Sequence, residues 1–135
     1  MSYDGKKLVR MTFPSHDFGA GAEVLSFYLP PNEHGEQTKG RVVNVGVMAI
    51  TEAFANSTGG GTIQIGTATD NDAYAKLNIP DETADEACVD INTDADVIIS
   101  EDISAGQLVE INCTQSTDAD TAAGIGIPFV DFYVW

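Results

Sequence analysis

Short apolar runs with a period of two, each closed by Gly, Pro, Asn or Asp, recur along most of the chain and predict strands joined by turns. Residues 7–13 read Lys-Leu-Val-Arg-Met-Thr-Phe and stop at Pro14, and the Gly-rich polar stretch 15–22 predicts a loop. A second strand is expected over 24–29, ended by Pro30-Pro31, with the polar stretch 32–40 as a surface connection. The clearest alternation follows: Val43, Val45, Val47 and Ala49 fall on one face, and Val42, Asn44, Gly46, Met48 and Ile50 on the other. Apolar groups on both faces predict a central strand.

Beyond it, Glu52-Ala53-Phe54-Ala55 fits either a helical turn or an extension of that strand, and residues 57–61 break either one. Residues 62–66 predict a strand. Asp70-Asn71-Asp72 is placed to cap a short helix over 73–77, the one helix the pattern supports. Strands are then expected over 88–91, 97–99 and 108–113, with a turn at Ser104-Ala105-Gly106. In the last segment Val130, Phe132 and Val134 alternate with Phe129, Asp131, Tyr133 and Trp135. That two-sided apolar strand fits either a central position within one domain or an interface with another subunit.

Many short strands with no long helical period predict an all-β chain, an antiparallel β-sandwich or jelly roll with at most one short helix. A length of 135 residues and a hydrophobic content of 43% suit a single domain over 1–135, with residues 1–20 as a candidate arm toward a partner.

Charge changes the picture. Residues 1–76 hold all six cations (Lys6, Lys7, Arg10, Lys39, Arg41, Lys76) against eight acids, whereas residues 77–135 hold thirteen acids and no cation. A net charge of −15 opposes binding to a phosphate backbone, so no nucleic-acid partner is expected. No stretch approaches 18 apolar residues and no signal core follows Met1, so neither a membrane partner nor export is expected, and synthesis in the cytoplasm is. Cys88 and Cys113 lack a metal-site or redox spacing and are expected as buried free thiols.

Chemistry is sparse. Asp90, Asn92, Asp94, Asp96 and Glu101 place oxygens in a calcium-loop spacing, but Ala95 stands where the loop needs Gly and the flanks are β-rich, so a polar turn is expected there. Ser15-His16-Asp17 holds the residue types of a hydrolase triad, yet adjacent residues cannot converge in that geometry. His16 and His34 are the only imidazole bases, and no nucleophile elbow is present. Gly59-Gly60-Gly61 lacks the Lys and Ser/Thr of a phosphate loop and reads as a mobile connection. The aromatic residues Phe27, Tyr28, Phe129, Phe132, Tyr133 and Trp135 fit core or interface better than a sugar platform. The chain is therefore expected to be no enzyme and to carry no cofactor or metal.

The phrase over residues 58–75, a strand with Ile65-Gly66-Thr67-Ala68, an acidic turn and Asp72-Ala73-Tyr74-Ala75, resembles small β-sandwich proteins among the virion genes of tailed phages. The Gly-containing lead into a final aromatic strand at 121–135 resembles them more loosely. The family so resembled is the head decoration, or capsid cement, proteins. The resemblance implies a structural virion protein on the capsid surface that binds the major capsid protein and itself, as a homo-oligomer of three, with no catalytic residues. Lys6, Lys7 and Arg10 are the expected capsid contacts, and Phe129, Tyr133 and Trp135 the expected oligomer interface. A carbohydrate- or receptor-binding module of a head fibre or tail is the alternative.

Overall fold

The structure is a computed structural model that describes residues 7–32, 34–55, 61–79, 88–90, 97–99, 101–114 and 123–135. Among them ten strands form two antiparallel sheets, with no helix: β1 (Lys7–Thr12), β2 (His16–Asp17), β3 (Glu23–Phe27), β4 (Gly40–Ala55), β5 (Thr62–Gly66), β6 (Ala75–Asn78), β7 (Val89–Asp90), β8 (Val97–Ile98), β9 (Val109–Thr114) and β10 (Ala123–Val134). Sheet I has the order β1-β10-β4-β7, with β2 also paired to β10; sheet II runs β3-β9-β5-β6-β8. The fold is a β-sandwich, as the alternation predicts.

The core lies between the sheets. Sheet I supplies Val42, Val45, Val47, Ile50, Phe54, Val130, Phe132 and Val134, and sheet II supplies Phe27, Ile63, Ile65, Ala75, Leu77, Val109, Ile111 and Cys113. Ring contacts tie the layers: Phe27 stands 5.4 Å from Phe13 and 5.6 Å from Phe132. Each fully buried aliphatic or aromatic side chain contributes about 1.5–3 kcal/mol by leaving water.

Four expectations are corrected. The helix over 73–77 is a strand, β6, because Ala75 and Leu77 alternate into the core and pair with Ile65 and Ile63. The acidic turn is a hairpin loop: the Thr67 amide donates to the Asp70 carbonyl at 2.8 Å, and the Asp70 amide to Thr67 Oγ1 at 3.2 Å. Core packing outweighs the capping signal. The strict alternation over 42–50 is also wrong, since Val42, Val45, Val47 and Ile50 are all buried. β4 bulges against β10, with register shifts that include one between Asn44 and Val42 and one between Glu52 and Met48, where Ala49 takes φ 50°. Residues 51–55 extend β4 instead of turning helically. Residues 16–17, expected as loop, form β2 against Ile125 and Gly126, and Cys88 is exposed, not buried.

β10 resolves the two-sided strand as a central one. It lies between β1 and β4, and its outward Phe129 and Asp131 are buried at 1% and 8% exposure. Gly46 makes this possible on β4: a Cβ there would run into the Phe129 ring and the Val89 carbonyl.

Candidate functional site

On the outer face of sheet I, register fixes rows of side chains running across the strands. Leu8, Tyr133 and Arg41 are partners in one row, Arg10, Asp131 and Asn44 in the next, and Thr12, Phe129 and Gly46 in a third. Trp135 extends the pattern beside Lys39, since their backbones exchange both hydrogen bonds, at 2.9 and 3.0 Å. Lys7, opposite Val134, stands at the same end.

Arg10 organises the middle of this face. Its Nε donates to Asp131 Oδ1 at 2.7 Å and its Nη2 to Asp131 Oδ2 at 2.9 Å, a bidentate fork, while the guanidinium lies 4.2 Å from the Phe129 ring centroid. The hydrogen bonds to Asp131 raise the Arg10 pKa above its ordinary value; desolvation opposes this, and the charge of Asp131 adds to it. Asn44 Nδ2 donates to Asp90 Oδ2 at 3.3 Å, and Arg41 donates to Asp102 Oδ1 from Nη2 at 2.6 Å and Nε at 3.0 Å. Lys7 and Lys39 have no ion pair among the described residues. Leu8 is 61% exposed, and Tyr133 beside it is partly open.

Two groups of residues singled out separately in the sequence therefore share one surface. Arg10, expected to touch a capsid, stands on the same sheet face as Tyr133 and Trp135, expected at an oligomer interface, while Lys7 pairs with the buried Val134 on the other face of β1 and Phe129 is covered by Arg10 of its own chain. Lys6 lies outside the described residues. Arg41 and Lys39 join the surface through β4, and no local motif announces them; the signal available was that a chain with so few cations holds four of them at 7, 10, 39 and 41. Of the five described cations two lie elsewhere, Lys7 on the inner-face side of the edge strand β1 and Lys76 on sheet II.

The other chemical motifs fall apart or fall outside. His16 Nε2 donates to the Gly21 carbonyl at 2.9 Å and Nδ1 lies 3.2 Å from Glu23 Oε2, so the imidazole ties β2 of sheet I to β3 of sheet II; Asp17 instead accepts the Gly19 amide. Ser15 does not join them in a triad. The middle of the calcium-spaced run, 91–96, and residue 100 lie outside the described residues. Its two ends face different sheets: Asp90 meets Asn44 of sheet I, whereas Glu101 lies near Tyr74 of sheet II, whose hydroxyl pKa is raised first by burial and then by that charge. Among the described residues no group of three or more His, Cys, Asp or Glu could hold a metal ion, and no helix is long and apolar enough to cross a membrane. Gly61 is buried, its carbonyl accepting the Ile79 amide at 3.0 Å; Gly59 and Gly60 are outside the described residues.

The class these features define is an antiparallel two-sheet β-sandwich with carboxylate-paired arginines and aromatic side chains on the outer face of one sheet. Comparison with protein-family models, curated proteins and solved structures finds no match to the chain.

Proposed function

We propose that this chain is a structural virion protein that binds the outer surface of an assembled phage capsid and stabilises the contacts between major capsid proteins. The observation that carries the reading is the make-up of one sheet face: in a chain of net charge −15, three of the five described cations, Arg10, Lys39 and Arg41, stand with Leu8, Tyr133 and Trp135 on the outer face of sheet I. The likeness over 58–75, of which residues 62–66 fold as β5 and 67–74 as the hairpin loop after it, supplies the class of assembly.

Physics supports that role. A protein that binds only the assembled lattice stabilises it by mass action, and repetition over many equivalent sites turns modest contacts into strong retention. Lys39, with the half-exposed Arg10 and Arg41 shared from their own carboxylates, would meet carboxylates on the shell, and Leu8 and Tyr133 would bury apolar area between them. The protein would be made in the host cytoplasm, act without cofactor or nucleic acid, and associate with itself.

Cosedimentation with purified shells tests the reading. Wild-type chain should saturate at a fixed ratio to the major capsid protein, and the double charge reversal Lys39→Glu with Arg41→Glu should weaken retention at least tenfold. No cosedimentation with shells, together with specific retention on a glycan array that Tyr133→Ala abolishes, would favour the carbohydrate-binding alternative.

A further inference from the structure

Sheet I ends in an edge that its own hydrogen bonding leaves open. The Phe13 amide donates to the Pro128 carbonyl at 3.0 Å, and β1 stays in register with β10 from Lys7 to Thr12 without a bulge. Bonded and non-bonded pairs alternate along an antiparallel ladder, so Val9 and Met11, in phase with Phe13, turn their N–H and C=O groups toward β10. Leu8, Arg10 and Thr12 turn theirs the other way, and β1 is the last strand of its sheet among the described residues. Backbone donors and acceptors of these three residues therefore line a regular edge with no proline in it.

The side of the sandwich beneath this edge is incompletely covered. The inward residues of β10, Val130, Phe132 and Val134, are fully or almost fully buried, whereas Val9, Met11 and Phe13 are only partly buried against the core. The contact between the Phe13 and Phe27 rings sets β3 across from the end of β1, and the inward Leu25 of β3 is again only partly buried. Apolar area and unused backbone groups thus lie along the same line.

We infer that the free edge of β1 takes up an extended segment of a partner protein as an added antiparallel strand, a segment in which apolar residues are interspersed with acidic ones. Leu8, Arg10 and Thr12 exchange backbone hydrogen bonds with it, its inward side chains cover Val9 and Met11, and its carboxylates stand opposite Lys7 and Arg10.

Charge selects this occupant. Residues 5–16 hold Lys6, Lys7 and Arg10 and no acid, in a chain with 21 acids. Lys7 has no ion pair among the described residues, and the fork from Arg10 to Asp131 uses Nε and Nη2, which leaves Nη1 for a further acceptor. A second copy fits badly: antiparallel pairing of β1 with itself through all three outward residues sets Arg10 opposite Arg10, where like charges repel. The neighbouring edge strand, β3, begins at Glu23 and repels an acidic segment. The inference stands apart from the shell-binding reading, which uses the outer face of sheet I and is tested at Lys39 and Arg41.

Fluorescence anisotropy of the full chain with a labelled synthetic peptide, Ser-Thr-Val-Glu-Ile-Val-Glu-Ser, tests this. Laid antiparallel to β1, the peptide sets its two Glu opposite Arg10 and Lys7, and its first Val and its Ile opposite Met11 and Val9. Saturable binding in the high micromolar range is expected, and the peptide with Lys in place of both Glu should bind at least tenfold more weakly. N-methylation of the two residues opposite Arg10 and Leu8, whose amides would point at β1, should abolish binding. N-methylation of the two opposite Val9 and Met11, whose amides would point away, should change it less than threefold. On the protein, Leu8→Pro removes an N–H that β10 does not use and should abolish binding in a chain that circular dichroism shows to be folded. If that variant unfolds, the two methylation patterns on wild-type protein decide. Failure of the acidic peptide to bind, equal binding of the Lys peptide, methylation patterns that behave alike, binding kept by folded Leu8→Pro, or self-association of wild type that Leu8→Pro abolishes would each overturn the inference. No shells enter the experiment, so the two readings fail separately.

Discussion

Arg10 and Asp131 are register partners on β1 and β10, and their two parallel hydrogen bonds close over the ring of Phe129. The pair joins an edge strand to the central strand of sheet I and roofs an aromatic side chain that would otherwise meet water on the outer face. A carboxylate with little exposure is paired with a cation that remains half in solvent. The arrangement is stable because both oxygens of the acid are used.

Arg10→Ala should therefore destabilise the fold more than Asp131→Asn. The first leaves a nearly buried charge without a counter-ion and uncovers Phe129; the second leaves a neutral acceptor under the guanidinium. Urea denaturation of the two single variants and of Arg10→Ala with Asp131→Asn should give a double variant less destabilised than the sum of the singles.

Ala49 holds φ 50° at an exposed position in the β4 bulge. Ala49→Gly should raise stability by about 0.5–1 kcal/mol, because relief of the left-handed backbone exceeds the entropy glycine adds to the unfolded chain. Ala49→Val should lower it by at least about 1 kcal/mol, as β-branching worsens the same clash. Denaturation midpoints at constant slope report both.

Gly124 has φ 140° and sits against Phe54, whose ring occupies the space a Cβ would need. Gly124→Ala should cost about 3 kcal/mol, combining backbone strain with overpacking of the core. Trimming Phe54 to Leu in the same chain should recover only the packing part, so the double variant stays less stable than Phe54→Leu alone.

Cys113 and Cys88 should separate in reactivity. Burial, and then the charge of Glu23, push the Cys113 thiol up to about 12, whereas Cys88 is exposed. A thiol reagent at pH 8 should modify one cysteine in the native protein and both after denaturation, since only the thiolate reacts. The linkage follows the same shift. Below about pH 9 both folded and unfolded chains keep this proton; from pH 9 toward 12 the unfolded chain loses it first, so stability falls as pH rises through that window. Cys113→Val should remove that part of the alkaline loss while other groups continue to titrate.

Much of the fold was legible because period-two runs and their Pro and Gly boundaries are local signals. β1, β3, β5, β9 and β10 fall within a few residues of their expected spans. β4 was read in the wrong phase because a bulge is visible only against its partner: Val42 and Val45 share the core because β4 carries one extra residue, Val43, opposite the consecutive Asp131 and Phe132 of β10. The run at 73–77 misled because Asp70-Asn71-Asp72 serves a helix cap and a hairpin turn equally well, and the choice was made by Ile63 and Ile65 on the neighbouring strand. The candidate site was half legible. Arg10, Tyr133 and Trp135 could be named singly, but their meeting with Arg41 and Lys39 depends on β10 lying between two strands far apart in sequence. Asp131, named from the sequence only as one position on the second face of the last strand, is the anchor of Arg10.

The placement of Lys7 beside Val134 gives the sandwich a mechanical grain. Tension applied at residue 7 and residue 135 acts at one end of the antiparallel β1–β10 ladder, so hydrogen bonds open one after another and β1 peels away at low force. Tension along the length of the paired β4 and β10 loads many hydrogen bonds at once and is resisted collectively. A load entering through the cationic end of sheet I would be borne or yielded to according to its direction, and the same bonds that make the sheet rigid in shear would let its edge unzip.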